Sequence, residues 1–169
     1  MTSAQMAPDF TLEDPRGNTV TLSGRKGRLV VLVFASQATQ EAARLATRNL
    51  GRALLDDPRV DMWTIVSVPK MFKAMAMGML KEVQQKALDS ARRRFEQEGR
   101  EAPADLAERI FILPDWDGKL VSLYGFDPKA RHVHVALVAP DGSVPERLSS
   151  ADGEKLAEVA AAKARALLG

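Results

Sequence analysis

Leu29 to Phe34, in the stretch GRKGRLVVLVFAS, is the feature that most limits what this chain can fold into. An unbroken aliphatic run of strand length reads as a β-strand covered on both faces. A short polar break, Ser36 to Gln40, follows it. From Thr39 to Asp56, Ala42, Leu45, Ala46, Leu50, Ala53 and Leu54 then recur at helical spacing. Asp57-Pro58 ends that helix, and VDMWTIVSV (60–68) is a second apolar run. Strand, helix and strand in that order predict two parallel strands joined by a right-handed crossover.

The flanking segments extend this α/β pattern. Ahead of it, Phe10 and Leu12 on one side of Asp14-Pro15-Arg16-Gly17-Asn18, with Val20 and Leu22 on the other, predict a hairpin. After it, residues 69–99 read as one long helix or two broken ones, with Gly78 as the weak point. RIFILPD (109–115) predicts a third strand, WDGKLVSLYGF a short helix or turn, and HVHVALVAPDG a fourth strand ending at Asp141-Gly142. SVPERL predicts one further short strand. The C-terminal segment predicts an amphipathic helix with Leu156, Val159, Ala160, Lys163 and Leu167 on one side. No internal repeat or low-complexity segment interrupts the order, and 169 residues suit a single domain over 1–169.

The residues that are missing limit the chemistry more than those present. The chain has no cysteine, which removes disulfides, thiolate catalysis and cysteine-ligated metals. A net charge of +2, with no dense Lys/Arg and aromatic window, gives no reason to expect nucleic acid. The opening MTSAQMAPDF has neither a basic nor an apolar signal region, and the longest apolar run is too short to span a bilayer. The expectation is a cytoplasmic protein with no membrane contact.

Four strings in order resemble the thioredoxin superfamily, in its peroxiredoxin and membrane-anchored-redoxin branch. APDFTLEDPRGNTVTLS is similar to the N-terminal hairpin of those proteins, and GRKGRLVVLVFAS to their Lys-Gly loop and first central strand. YGFDP and VALVAPDGSV resemble their late Tyr-Gly turn and the strand ending in Asp-Gly. The resemblance implies a thioredoxin-like α/β three-layer sandwich with an N-terminal β-hairpin and a helical insertion at about 70–108. It also locates a loss. Where redoxins carry Trp-Cys-x-x-Cys, this chain has Gln37, Ala38 and, at the second cysteine, Glu41; the cis-proline position falls near Val133. Thiolate chemistry cannot run on alanine, so the redox activity implied by the family is expected to be lost.

The candidate contacts are correspondingly few. Ser36, Gln37, Thr39, Gln40 and Glu41 lie at a helix N-terminus, where they could hold an anion or a peptide carbonyl. The favoured reading is a local cap, a Ser or Thr oxygen accepting a first-turn N–H with Glu41 or a nearby Gln returning the bond. His132 and His134, at i and i+2 on a predicted strand, share a face and could supply two metal ligands. No third ligand stands at diagnostic spacing, so surface imidazoles on an edge strand are favoured, and neither a metal nor a cofactor is expected. Met71, Met75 and Met79, widened by Phe72, Leu80 and Val83 and continued by Leu88 and Phe95, form an apolar stripe on the long helix. A copper-binding thioether site, ordinary core and a partner-binding face compete for it. The favoured use is a homodimer contact. Arg92, Arg93 and Arg94, followed closely by Glu96, Glu98 and Glu101, read as a solvated helical face with local pairing. Together these residues suggest a redox-inactive binding, regulatory or structural interaction module whose protein partner the sequence does not name. The alternative is an enzyme with non-thiol catalysis, or residual oxidoreductase-like activity at the Ser36–Glu41 loop.

Overall fold

The computed structural model describes residues 5–169. Its first half runs β1 (Gln5–Met6), β2 (Thr11–Glu13), β3 (Thr19–Thr21), β4 (Leu29–Ala35), α1 (Gln40–Leu54), β5 (Val60–Val68) and α2 (Lys73–Gln97). The second half adds β6 (Ile110–Trp116), α3 (Lys119–Leu123), β7 (Val133–Val138), β8 (Ser143–Val144), β9 (Glu146–Ser150) and α4 (Gly153–Leu168).

Five strands form a mixed sheet in the order β6-β5-β4-β7-β9. β4 pairs parallel with β5, from Leu29 opposite Val60 to Ala35 opposite Val66, and β5 pairs parallel with β6. β7 and β9 close the other side antiparallel. The apolar run is therefore the central strand, and its side chains alternate between two cores. Leu29, Val31 and Val33 pack with Ala43, Ala46 and Leu50 of α1 and with Leu156 and Ala160 of α4. Val30, Leu32 and Phe34 face Trp63, Phe111, Tyr124 and Val20 of the hairpin. Helices cover one face, while the hairpin and α3 cover the other.

The hairpin is held by a buried carboxylate. Asp14 accepts the backbone N–H groups of Arg16 at 3.0 Å and Asn18 at 2.8 Å, and pairs with the Arg16 guanidinium at 2.9 Å. Arg16 reaches the Ala107 carbonyl at 3.2 Å and Arg25 reaches that of Glu108. Both guanidinium groups also lie over the Phe111 ring, which ties the hairpin to the start of β6.

Three expectations need correction. The C-terminal helix is rotated from the predicted face: Val159 is exposed, and Leu156, Ala157, Ala160, Ala161 and Ala164 are buried. α4 lies so close to α1 that small side chains make the contact, and hydropathy alone cannot anticipate that. The segment SVPERL is two strands, divided at Pro145, which has no N–H to give a ladder.

The long helix is continuous through Gly78, and its apolar stripe divides. Leu80, Leu88 and Phe95 are buried. Met71, Met75 and Met79 are 83%, 63% and 59% exposed, and Phe72 and Val83 are exposed beside them. Met75 and Leu80 are five residues apart, which puts them on different flanks of the helix. What anchors α2 is polar. Buried Gln84 donates from Nε2 to the Ile110 carbonyl at 2.8 Å and accepts the Ile112 N–H on Oε1 at 2.6 Å. The amide thus takes the place of a sixth strand along the β6 edge. No helix among the described residues is long and apolar enough to cross a membrane.

Candidate functional site

The parallel pairing of β4 with β5 and β6 brings the C-terminal ends of all three strands to one end of the sheet. Ser36 leaves β4 there, and Gln37–Thr39 form a single 3-10 turn that leads into α1. The polar groups of this turn bind one another. The Ser36 N–H donates to Thr39 Oγ1 at 2.9 Å, and the Thr39 N–H returns to the Ser36 carbonyl at 3.1 Å. The partner in this cap is Thr39, where the sequence suggested Glu41 or a glutamine. Glu41 instead meets the Arg44 guanidinium at 2.6 Å in the open. Gln37, Ala38 and Gln40 are exposed.

Ser36, His132 and His134 do converge. With Ser67, Asp127 and Pro128 they line a crevice of about 20 Å³, room for one water. Gln37, Thr39, Gln40 and Glu41 are not part of its wall. The two histidines differ from the surface pair expected on an edge strand. β7 lies between β4 and β9, and His134 is only 5% exposed, whereas His132 precedes the strand and is open to solvent. The His134 ring stacks on Phe126 with centroids 4.5 Å apart and planes 16° apart. Burial pushes its pKa below the usual imidazole value. No group of three His, Cys, Asp or Glu side chains among the described residues is arranged to hold a metal ion.

Two polar residues at this end escaped the sequence reading. Asp115, buried at the end of β6, accepts the Leu120 N–H at 2.9 Å and the Val121 N–H at 3.3 Å; burial nevertheless raises its pKa. Ser149 of β9 pairs with His134 across the sheet and places Oγ 2.6 Å from Nδ1. Register alone makes that contact, and no local spacing encodes it. Val133, near which the resemblance puts the cis-proline, is fully buried, and no cis peptide bond occurs among the described residues.

No protein-family model matches the chain, and no curated protein matches it. Solved structures do. A structure described as a thiol:disulfide interchange protein DsbE from Chlorobium tepidum superposes with a TM-score of 0.63 at 18% identity, covering 100% of this chain and 99% of that one. A secreted Mycobacterium tuberculosis disulfide oxidoreductase homologous to E. coli DsbE gives 0.58 at 15% identity, over 93% and 95%. BsSco, a member of the Sco family of cytochrome c oxidase assembly proteins, gives 0.57 at 12%, over 97% and 94%. This chain is therefore thioredoxin-like in fold, and it has none of the cysteines on which thiol–disulfide chemistry depends.

Proposed function

We propose that the chain is a redox-inactive thioredoxin-fold module that acts by binding. One observation carries this reading. Ala38 stands exposed in the turn just ahead of α1, where the positive end of the helix dipole would stabilise a thiolate. A methyl group in that place leaves the scaffold without its nucleophile, while the surrounding turn stays capped and ordered. The neighbouring crevice admits a single water, which lends no support to substrate-sized catalysis at the Ser36–Glu41 loop.

The metal-free protein is expected to reduce insulin disulfides no faster than buffer; measurable turnover would overturn the proposal. The double substitution Ala38→Cys, Glu41→Cys is expected to fold and to close an intramolecular disulfide under mild oxidation, read as the loss of two hydrogens by mass. A variant that stays a dithiol would show that residues 38 and 41 do not occupy the positions of a redoxin cysteine pair.

The binding surface we propose is the ridge of Met71, Met75 and Met79 with Phe72 and Val83, occupied by a second copy of the chain. Exposed apolar groups gathered on one helix flank mark interaction sites, and methionine repacks readily against an uneven surface. Light scattering is expected to give a dimer mass for the native chain and a monomer mass for Met75→Glu, Met79→Glu with unchanged circular dichroism. A native monomer, or a dimer that survives both substitutions, would remove this interface.

A further inference from the structure

Ser149 and His134 stand 15 residues apart in sequence and meet through the antiparallel pairing of β7 with β9. We propose that they form a nucleophile–base pair that takes an acyl group from small activated esters. The proposal is separate from the binding role and holds whether or not that reading survives.

The geometry is that of an activated hydroxyl. Ser149 Oγ is 2.6 Å from Nδ1 of His134, and the serine is exposed on the edge strand while the imidazole is buried behind it. Phe126 stacks on the imidazole and fixes the plane of the ring. With the ring proton on Nε2, Nδ1 is free to accept from the serine. A base oriented by a third group, within hydrogen-bond reach of a hydroxyl, is the arrangement that makes serine nucleophilic. Burial outweighs the charged surroundings of the ring and favours its neutral form. Those surroundings are His132, which disfavours the imidazolium, and Asp127, which favours it. Arg147, the other charged group on this face of β9, is held by the Tyr124 carbonyl at 2.9 Å.

The crevice beside His134 does not include Ser149, so an acyl donor reaches the hydroxyl from the open edge of β9. That access suits a small ester with a good leaving group. Oγ bonds to the carbonyl carbon as the hydroxyl proton passes to Nδ1. The ester C–O bond then breaks, the aryloxide departs, and the imidazolium releases its proton to solvent. Water later cleaves the acyl-serine and releases the acid.

The test uses p-nitrophenyl acetate with the full chain, mapping acetyl groups by peptide mass. Ser150 is the internal reference, since its Oγ accepts the Asp152 N–H at 3.0 Å and it has no paired histidine. Ser149 is expected to acetylate at least about tenfold faster than Ser150, at the low side of what a general base supplies. The mark is expected to vanish in Ser149→Ala and to slow about tenfold or more in His134→Gln. In the native chain the rate is expected to hold between pH 8 and 7 and to fall on acidification, with its midpoint below the ordinary imidazole range. Acetylation of Ser149 no faster than Ser150 overturns the proposal, as does a folded His134→Gln that labels at the native rate. If His134→Gln does not fold, the native pH profile decides, and a rate that stays flat down to pH 5 rejects the pair.

Discussion

Arg109→Met is expected to lower unfolding stability by about 4 kcal/mol, which is on the order of a third of what a domain of this size has. Arg109 is 1% exposed at the entrance to β6 and spends its guanidinium on backbone carbonyls. Nε donates to Val60 at 2.9 Å, and Nη2 donates to Leu55 at 2.9 Å and Asp57 at 2.8 Å. These carbonyls belong to the end of α1, the following turn and the start of β5. One side chain at the entrance to β6 therefore fastens the crossover to the sheet. Methionine keeps most of the apolar stem, so the loss measures unpaired buried carbonyls more than a cavity. Each lost bond from a charged donor is worth roughly 1.5 kcal/mol or more. Arg109→Lys is expected to recover only part of the loss, because a compact ammonium cannot reproduce a planar fork spread over three acceptors. Urea unfolding followed by far-ultraviolet circular dichroism reads all three proteins. A methionine variant within about 1 kcal/mol of the native chain would show that solvent replaces the guanidinium cheaply.

Arg109 also marks the limit of what the sequence reveals. The central β4–α1–β5 unit was legible because an aliphatic run leaves a strand little choice but burial, and helical periodicity separates the two runs. The hairpin was legible because its turn residues stand between matched apolar pairs. The absence of thiol chemistry was legible because a missing cysteine needs no coordinates. Arg109, by contrast, reads locally as a charge at a strand boundary, which is ordinarily solvated. Its burial depends on carbonyls 49 to 54 residues earlier in the chain. Gln84 looks like another polar position on a helix until β6 presents two unpaired backbone groups to it. Ser149 acquires meaning only when register sets it beside His134. In each case the polar partner is distant in sequence, and hydrophobic periodicity carries no information about it. The rotated face of α4 has the same origin, since alanines mark that interface by allowing close approach and not by hydropathy.

That close approach is sharpest at Gly153. Gly153→Ala is expected to destabilise the chain by about 3 kcal/mol or more. Asp152 caps α4, accepting the Lys155 N–H at 3.1 Å, and Gly153 is the first residue of the helix. A Cβ built at this position falls 2.0 Å from the Ala42 carbonyl oxygen and 2.9 Å from its carbon. Both atoms are backbone of α1, so no rotamer change relieves the overlap. Either the two helices separate by an ångström or more, or the start of α4 unwinds. Separation would open a gap along Ala43 and Ala46 on one side and Ala157, Ala160 and Ala164 on the other, a seam of small side chains that cannot reach across it. Intrinsic propensity acts the other way, since alanine is favoured over glycine in helices by up to about 1 kcal/mol. Gly78→Ala supplies the matched comparison: in the middle of α2 an added Cβ meets nothing within 4 Å. That substitution is expected to leave stability unchanged or raise it by about 0.5–1 kcal/mol. Thermal and urea unfolding of the two variants side by side therefore test packing against propensity with the same added methyl. A Gly153→Ala protein as stable as Gly78→Ala would mean that α1 and α4 are not in backbone contact at this point.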